Sequence, residues 1–333
     1  MDAAARKKVV VIGGGTGSFV VLSALKKYTK YITALVNMVD DGGSTGVLRD
    51  ELGALPPGDV RQCLVALSED PAVRQLFEYR FGEGTGLKGH SFGNLFLSAM
   101  EKTAGSFGQA VAKAGDVLKI VGQVEPITLS DVTLVTELAD GRVLRGQYTI
   151  SQEQVGVKKG QKFWLEPAAT LNPRAITAIR QADVIIVSPG NLYGSLTPTL
   201  MVPGVGAALK RAKGLKIYVA NLVTKPGQTD GFMAVDFADE LERLAGGPFL
   251  DYVLANTQPP STELLQKYAT VGELAVEPGD DNQRTYQLTG APLLSDQIWQ
   301  QAAPGGDKIA SKRTLIRHDG DATVRAIFDI CKR

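Results

Sequence analysis

The stretch Val9-Val10-Val11-Ile12-Gly13-Gly14-Gly15-Thr16-Gly17-Ser18 decides how this chain begins to fold. A short β-branched run is a strand, and its abrupt end in glycine is a tight turn. From Phe19 to Leu25 the apolar spacing becomes helical, with Lys26 and Lys27 at the end that suits cations. Strand, glycine turn and helix open a βαβ unit. Gly13 and Gly15 fit a dinucleotide fingerprint, but Ser18 stands where its third glycine belongs. Asn37, not an acid, closes the second strand. NAD is therefore not expected. A phosphate at the helix start, cradled by Gly14, Gly15, Thr16 and Gly17, is a reasonable reading beside the bland one of a turn without a ligand.

Tyr31 to Val36 reads as the second strand, and it delivers Asn37-Met38-Val39-Asp40-Asp41-Gly42-Gly43-Ser44-Thr45-Gly46-Val47-Leu48-Arg49-Asp50 at its carboxyl end. Adjacent acids repel unless donors or a cation sit beside them. Gly42, Gly43, Ser44, Thr45 and Gly46 are expected as a loop, not a helix or strand, with positive φ angles that turn backbone N–H groups toward one point. Acids beside such a loop suggest a phosphate held with a divalent cation. Mg2+ suits one or two carboxylates plus substrate phosphates. Asp59, after the turn Leu55-Pro56-Pro57-Gly58, is the candidate second metal arm beside Asp40; it also fits the N-cap of a helix over Val60 to Leu67. Asp40 and Asp41 could equally be turn acids.

Further helices are expected over Arg74 to Arg80, Leu95 to about Lys102, Ala175 to Gln181, from Ser261 onward, and in the tail to Cys331. Gly82 to Gly89 is a loop. Val184 to Val187, Lys216 to Ala220 and Tyr252 to Ala255 are apolar strands of the kind buried in parallel sheets. Between about 117 and 167 the pattern alternates instead. Ile127 to Leu129, Val132 to Thr136 and Val143 to Tyr148 read as antiparallel strands, with Ala139-Asp140-Gly141 as a hairpin turn. The expected fold is α/β: a doubly wound, mostly parallel Rossmann-like sheet with a small antiparallel β insertion at about 117–167. All 333 residues are expected to form one domain.

In such sheets ligands bind beyond the carboxyl ends of the strands. Every polar, glycine-rich loop falls at such an end. His90 precedes a helix start and is either ligand-facing or a structural hydrogen-bonding group. Without a nearby cysteine or second histidine, zinc is not expected. His318, between Arg317 and Asp319, reads as a salt-bridge cluster. Asn37, Asn221 and Asn256 end strands, for turn reasons or to offer amides to sugar hydroxyls or a base. Tyr193 and Tyr268 could stack a base or fill the core.

With 44% apolar residues and a net charge of +1, the chain has ample core and no global field favouring nucleic acid or an anionic membrane. Two cysteines fit a reducing cytoplasm, and no run reaches the roughly 18 apolar residues of a span or forms a signal peptide.

Taken in order, Gly13–Gly17, Asp40-Asp41-Gly42-Gly43-Ser44-Thr45-Gly46-x-x-Arg49 and Leu55-Pro56-Pro57-Gly58-Asp59-x-Arg61 begin a series. Gly89-His90-Ser91-Phe92-Gly93-Asn94, Ser188 to Ser195, Thr229-Asp230-Gly231 and Arg317-His318-Asp319 complete it. The series resembles the YvcK-type gluconeogenesis (morphogenesis) factors of the CofD-like family. The resemblance implies a cytoplasmic α/β protein that binds a nucleotide-sugar such as UDP-N-acetylglucosamine and supports cell shape and peptidoglycan precursor supply. The other branch implies a magnesium-dependent transferase that moves a phospholactyl group from a nucleotide diphosphate donor. On the first reading Gly14–Gly17, Asn37, Gly42–Thr45, His90, Ser91, Asn94, Gly190, Asn191, Tyr193, Asn221 and Thr229 line the ligand. By position, Tyr268 and Arg317 would contact base and pyrophosphate. On the second, Asp40, Asp41 and Asp59 would carry catalysis. A homodimer and regulatory protein partners are compatible with either; nucleic acid and membrane insertion are not expected.

Overall fold

The structure is a computed structural model that describes residues 5–152, 159–296 and 316–333. Its strands are β1 (Val9–Ile12), β2 (Ile32–Val36), β3 (Gln123–Pro126), β4 (Thr133–Glu137), β5 (Val143–Arg145), β6 (Phe163–Glu166), β7 (Val184–Val187), β8 (Leu215–Val219), β9 (Tyr252–Asn256) and β10 (Gln287–Ala291). Seven of them form a parallel sheet in the order β10-β9-β8-β7-β1-β2-β3. β1 lies in its interior between β7 and β2, with Val9 opposite both Ile32 and Val184.

The fully apolar composition of β1 follows from that position. Val9 and Val11 enter one core, with Val21, Leu22 and Leu25 of the helix Gly15–Leu25 and Cys63, Leu64 and Leu67 of the helix Gly58–Leu67. Val10 and Ile12 enter the other, with Ala175 and Ile179 of Pro173–Gln181 and Phe237 and Leu241 of Ala234–Leu244. Both faces are covered, as a parallel sheet requires. The doubly wound α/β architecture is as the sequence indicated. No helix of the described residues is long and apolar enough to cross a membrane.

The alternating segment divides between two sheets. β3 pairs parallel with β2 in the main sheet, whereas β5-β4-β6 is a separate antiparallel sheet. The hairpin turn lies where expected: Leu138 N donates to Arg142 O, and Gly141 takes φ 84°. Ile127–Leu129 is not a strand: Ile127 N makes the last bond to β2, at Val36 O, and Thr128 then forms only an isolated antiparallel bridge with Leu171. Nor does a strand continue to Tyr148. Gln147–Gln152 is a helix, with Tyr148 N donating to Asp41 Oδ1 at 2.6 Å. β6 and β10 and the helix Ala234–Leu244 were not anticipated.

Several helices begin earlier than their apolar pattern suggested, since the cap lies upstream of the first apolar residue. Asp70 caps Pro71–Glu78, and Ser91 caps Phe92–Ala104. Of the tail stretch Thr314–Asp319, Thr314 and Leu315 lie outside the described residues.

Candidate functional site

The connections from β1 to β2 and from β7 to β8 leave the sheet on opposite faces, so β1 and β7 flank a topological switch point. That is where doubly wound sheets open a crevice for ligands. The carboxyl ends of these two strands are stitched together. Ser188 Oγ reaches Ile12 O at 3.1 Å, and the Ser18 and Ser188 hydroxyls lie 2.6 Å apart. A β-carbon on Gly17 would fall 1.9 Å from Pro189 O, so only glycine allows the two loops to approach this closely. Asn221, at the end of the neighbouring β8, holds Gly190 from both sides: its Nδ2 donates to Gly190 O at 2.8 Å, and Gly190 N donates to its Oδ1 at 3.3 Å. Asn191 Oδ1 accepts Gly194 N and caps the next turn.

Three helices start beside this point, at Gly15, Gly43 and Gly58, and none has a side-chain cap. The Gly42–Gly46 segment is therefore not a loop. It is the first turn of the helix Gly43–Leu52, entered through Gly43 at φ 48°, with Thr45 N and Gly46 N donating to Gly42 O. Positive helix ends converge here, and two carboxylates answer them. Asp40 Oδ1 accepts Gly42 N, and its carboxylate also accepts from Thr45. Asp59 is not an N-cap; Pro57 is, and Asp59 sits in the first turn, aimed across at β1 and β2. It accepts Gly15 N and, at 3.4 Å, Asn37 Nδ2.

Both acids are raised above the ordinary carboxylate range. Burial foremost, then the neighbouring Asp40 charge, pushes Asp59 up to about 7, against the donors Asn37 and Gly15 and the Arg61 cation. Burial likewise raises Asp40, opposed by Gly42 N–H and the Thr45 hydroxyl and reinforced by Asp41. Glycine makes room for both: a β-carbon on Gly14 would stand 2.1 Å from Asp59 Oδ2, and one on Gly58 would stand 2.5 Å from Asp40 Oδ2.

A second polar row lies alongside. Ser44 Oγ is 2.9 Å from His90 Nδ1, Asn94 Nδ2 donates to Ser44 Oγ at 3.3 Å, and Arg61 Nε donates to Asn94 Oδ1 at 2.9 Å. Arg61 was not among the expected site residues, although its place two residues after Asp59 on a helix start was a legible signal. Ser91 is buried and caps its helix.

Other expected contacts face elsewhere. Asp41 is engaged by Tyr148 N, and Gly146 packs against its carboxylate, so it anchors the helix beyond β5, while its charge still reaches Asp40. Tyr193 has no exposed surface; its ring stacks on Phe163 at 5.1 Å and its hydroxyl donates to Glu240. It fills the core and is not a base platform. Tyr268 is buried with Leu222 and Ile316, and its hydroxyl accepts Ile316 N. Thr229 Oγ1 accepts Lys225 N within its own loop. Arg317 is half-buried and its carbonyl accepts Ser295 N. His318 is no salt-bridge residue: Nε2 meets Ala220 O at 3.1 Å, and burial pushes the ring down to about 4. Arg49 clamps the β4 end through Val132 O and Asp131.

The family model described as 2-phospho-L-lactate transferase CofD matches residues 9–297. The chain belongs to the CofD family. Among relatives in this family, the Bacillus subtilis protein named "Gluconeogenesis factor" is 37% identical over 328 residues, 98% of this chain and 99% of its own length. A Nostoc relative is 47% identical over 264 residues, which span 79% of this chain and 58% of that longer protein. A crystal structure of a Bacillus halodurans protein superposes with a TM-score of 0.87 at 35% identity, over 97% of this chain and 99% of that one.

CofD-family transferases can use Mg2+, and the acid pair fits such an ion in part. Among the described residues no cluster of three or more His, Cys, Asp or Glu side chains could hold a metal. Asp40 and Asp59 would thus supply two carboxylates, with the remaining oxygens coming from ligand phosphates and water. When bound, the ion would neutralise phosphate charge.

Proposed function

We propose that this CofD-family chain is a binding protein for a nucleotide-sugar of the UDP-N-acetylglucosamine kind, acting in regulation. Its role would be to support cell shape and peptidoglycan precursor supply during growth on gluconeogenic carbon. The observation that carries the reading is the convergence on the β1–β7 switch point of the helix starts at Gly15 and Gly43, whose N-cap residues, Gly14 and Gly42, have no side chain to cap them. Backbone N–H groups at the positive ends of helices favour a diphosphate. The relatives named for gluconeogenesis support the link to gluconeogenic growth.

A second reading has its own observation. Two buried carboxylates with raised pKa values, Asp40 and Asp59, are the arrangement a cation would discharge, which favours a magnesium-dependent transferase acting on a nucleotide diphosphate donor.

Thermal unfolding with UDP-N-acetylglucosamine, and separately with GDP and Mg2+, separates the two. A ligand at about a hundred times its Kd adds roughly 2.7 kcal/mol, which is on the order of a few degrees in a chain this long. A shift with the UDP-sugar, and no new phosphorus-31 signal on incubation, is the expected result. A shift confined to GDP with Mg2+ rejects the sensor.

A further inference from the structure

The row Arg61–Asn94–Ser44–His90 can be read proton by proton from one end. Arginine only donates, so Arg61 Nε–H, 2.9 Å from Asn94, must face the amide oxygen. That sets the amide, and Nδ2 is left to donate to Ser44 Oγ. Ser44 then accepts from Asn94, and its own proton goes to its other neighbour, His90 Nδ1; among the described residues the hydroxyl has no further acceptor. With Nδ1 accepting, the single proton of the neutral imidazole is on Nε2.

His90 is 8% exposed and its backbone is fixed, with N donating to Leu87 O and O accepting Phe81 N. Its Nε2 has no partner among the described residues and is not sealed from solvent. A mostly buried N–H donor is thus held at the start of the Gly43–Leu52 helix with nothing among the described residues to receive it.

We propose that this row fixes His90 as an Nε2–H donor to a phosphate oxygen of the bound ligand. Ser44, Asn94 and Arg61 act through it as positioning residues. The inference rests on reading the site as a diphosphate site, and it adds which side chain donates and what sets its tautomer. A neutral imidazole with the opposite tautomer would present a lone pair and repel the same oxygen.

Nitrogen-15 NMR of the histidine-labelled full chain tests it at mildly alkaline pH. There are two histidines, and His318, whose Nε2–H faces Ala220 O, is the internal reference. The ligand-free protein should show the Nε2–H pattern for His90. Asn94→Asp turns the Ser44 proton toward the new carboxylate and should move the His90 proton to Nδ1. Inorganic pyrophosphate with Mg2+ should shift His90 Nε2 and leave His318 in place. Ser44→Ala should weaken pyrophosphate binding roughly tenfold, with Ser44→Thr restoring most of it. An Nδ1–H tautomer in the wild type, an unchanged tautomer in the Asp variant, or a His90 Nε2 signal that pyrophosphate does not move overturns the proposal. A chain whose His90 responds to pyrophosphate but which ignores UDP-N-acetylglucosamine overturns the nucleotide-sugar reading and leaves this one standing.

Discussion

Asp59 accepts the backbone N–H of Gly15, and its Oδ2 lies 2.1 Å from where a β-carbon on Gly14 would stand. The carboxylate therefore sits at the positive end of the Gly15–Leu25 helix, where an anionic ligand would also gain most. A cation between acid and ligand removes the competition, which links metal and phosphate at this one position.

Gly14→Ala and Gly17→Ala should therefore differ. The first meets the end of a side chain, so the Asp59 carboxylate swings away at a cost of about 1–3 kcal/mol. The second meets backbone, Pro189 O at 1.9 Å, and the β1 and β7 loops must separate. Urea denaturation should rank Gly17→Ala as the more damaging. Gly14→Ala should keep the fold and lose magnesium-dependent ligand binding.

The raised Asp59 pKa sets a sign for pH dependence. Its folded value is about 7, above the unfolded value near 3.8, so folded protein holds a proton that unfolded chain has released. The contribution of this group is complete below about pH 4 and is lost as pH rises through 7. Asp59→Asn should flatten that part of the profile and be more stable than wild type at alkaline pH without metal. A steeper fall in the variant, measured by urea midpoints across pH, would contradict the pairing.

Asp41 is tied to Tyr148 N at 2.6 Å, as an N-cap acid would be. Asp41→Ala should lower stability by about 1 kcal/mol and loosen the Gln147–Gln152 helix, seen as faster amide exchange there. Magnesium affinity, measured by calorimetry, should change far less than in Asp40→Asn.

Tyr193→Phe keeps the stack on Phe163 and deletes the donor to Glu240, which Arg243 still holds through two bonds. A loss of about 1–2 kcal/mol is expected, with ligand affinity unchanged. A large affinity loss would return Tyr193 to the site.

The sheet was legible because β1, β7 and β9 are buried on both faces and so carry uninterrupted apolar runs. The Asp40 and Asp59 neighbourhood was legible from acids beside glycines. What misled was a local rule applied without its partner. Gly42–Gly46 looked like a loop by composition, yet its carbonyls and amides close a helical turn. Tyr193 looked like a ligand platform in a polar loop, but a buried Glu240 lies beneath it, 47 residues onward, where no local pattern points. His318 between two charged neighbours looked like an ion-pair residue, and its partner is a carbonyl 98 residues away.

The pairing of Val9 with Val184 and the touching hydroxyls of Ser18 and Ser188 have a consequence for assembly. During synthesis the first half of the binding crevice emerges long before the second, and no ligand can be gripped until some 170 residues more have left the ribosome and docked. A small molecule that bridges the two strand ends would act as a clasp on the finished chain. It would slow the separation of the halves and lengthen the lifetime of the native state, so the abundance of this protein would respond to any ligand held there.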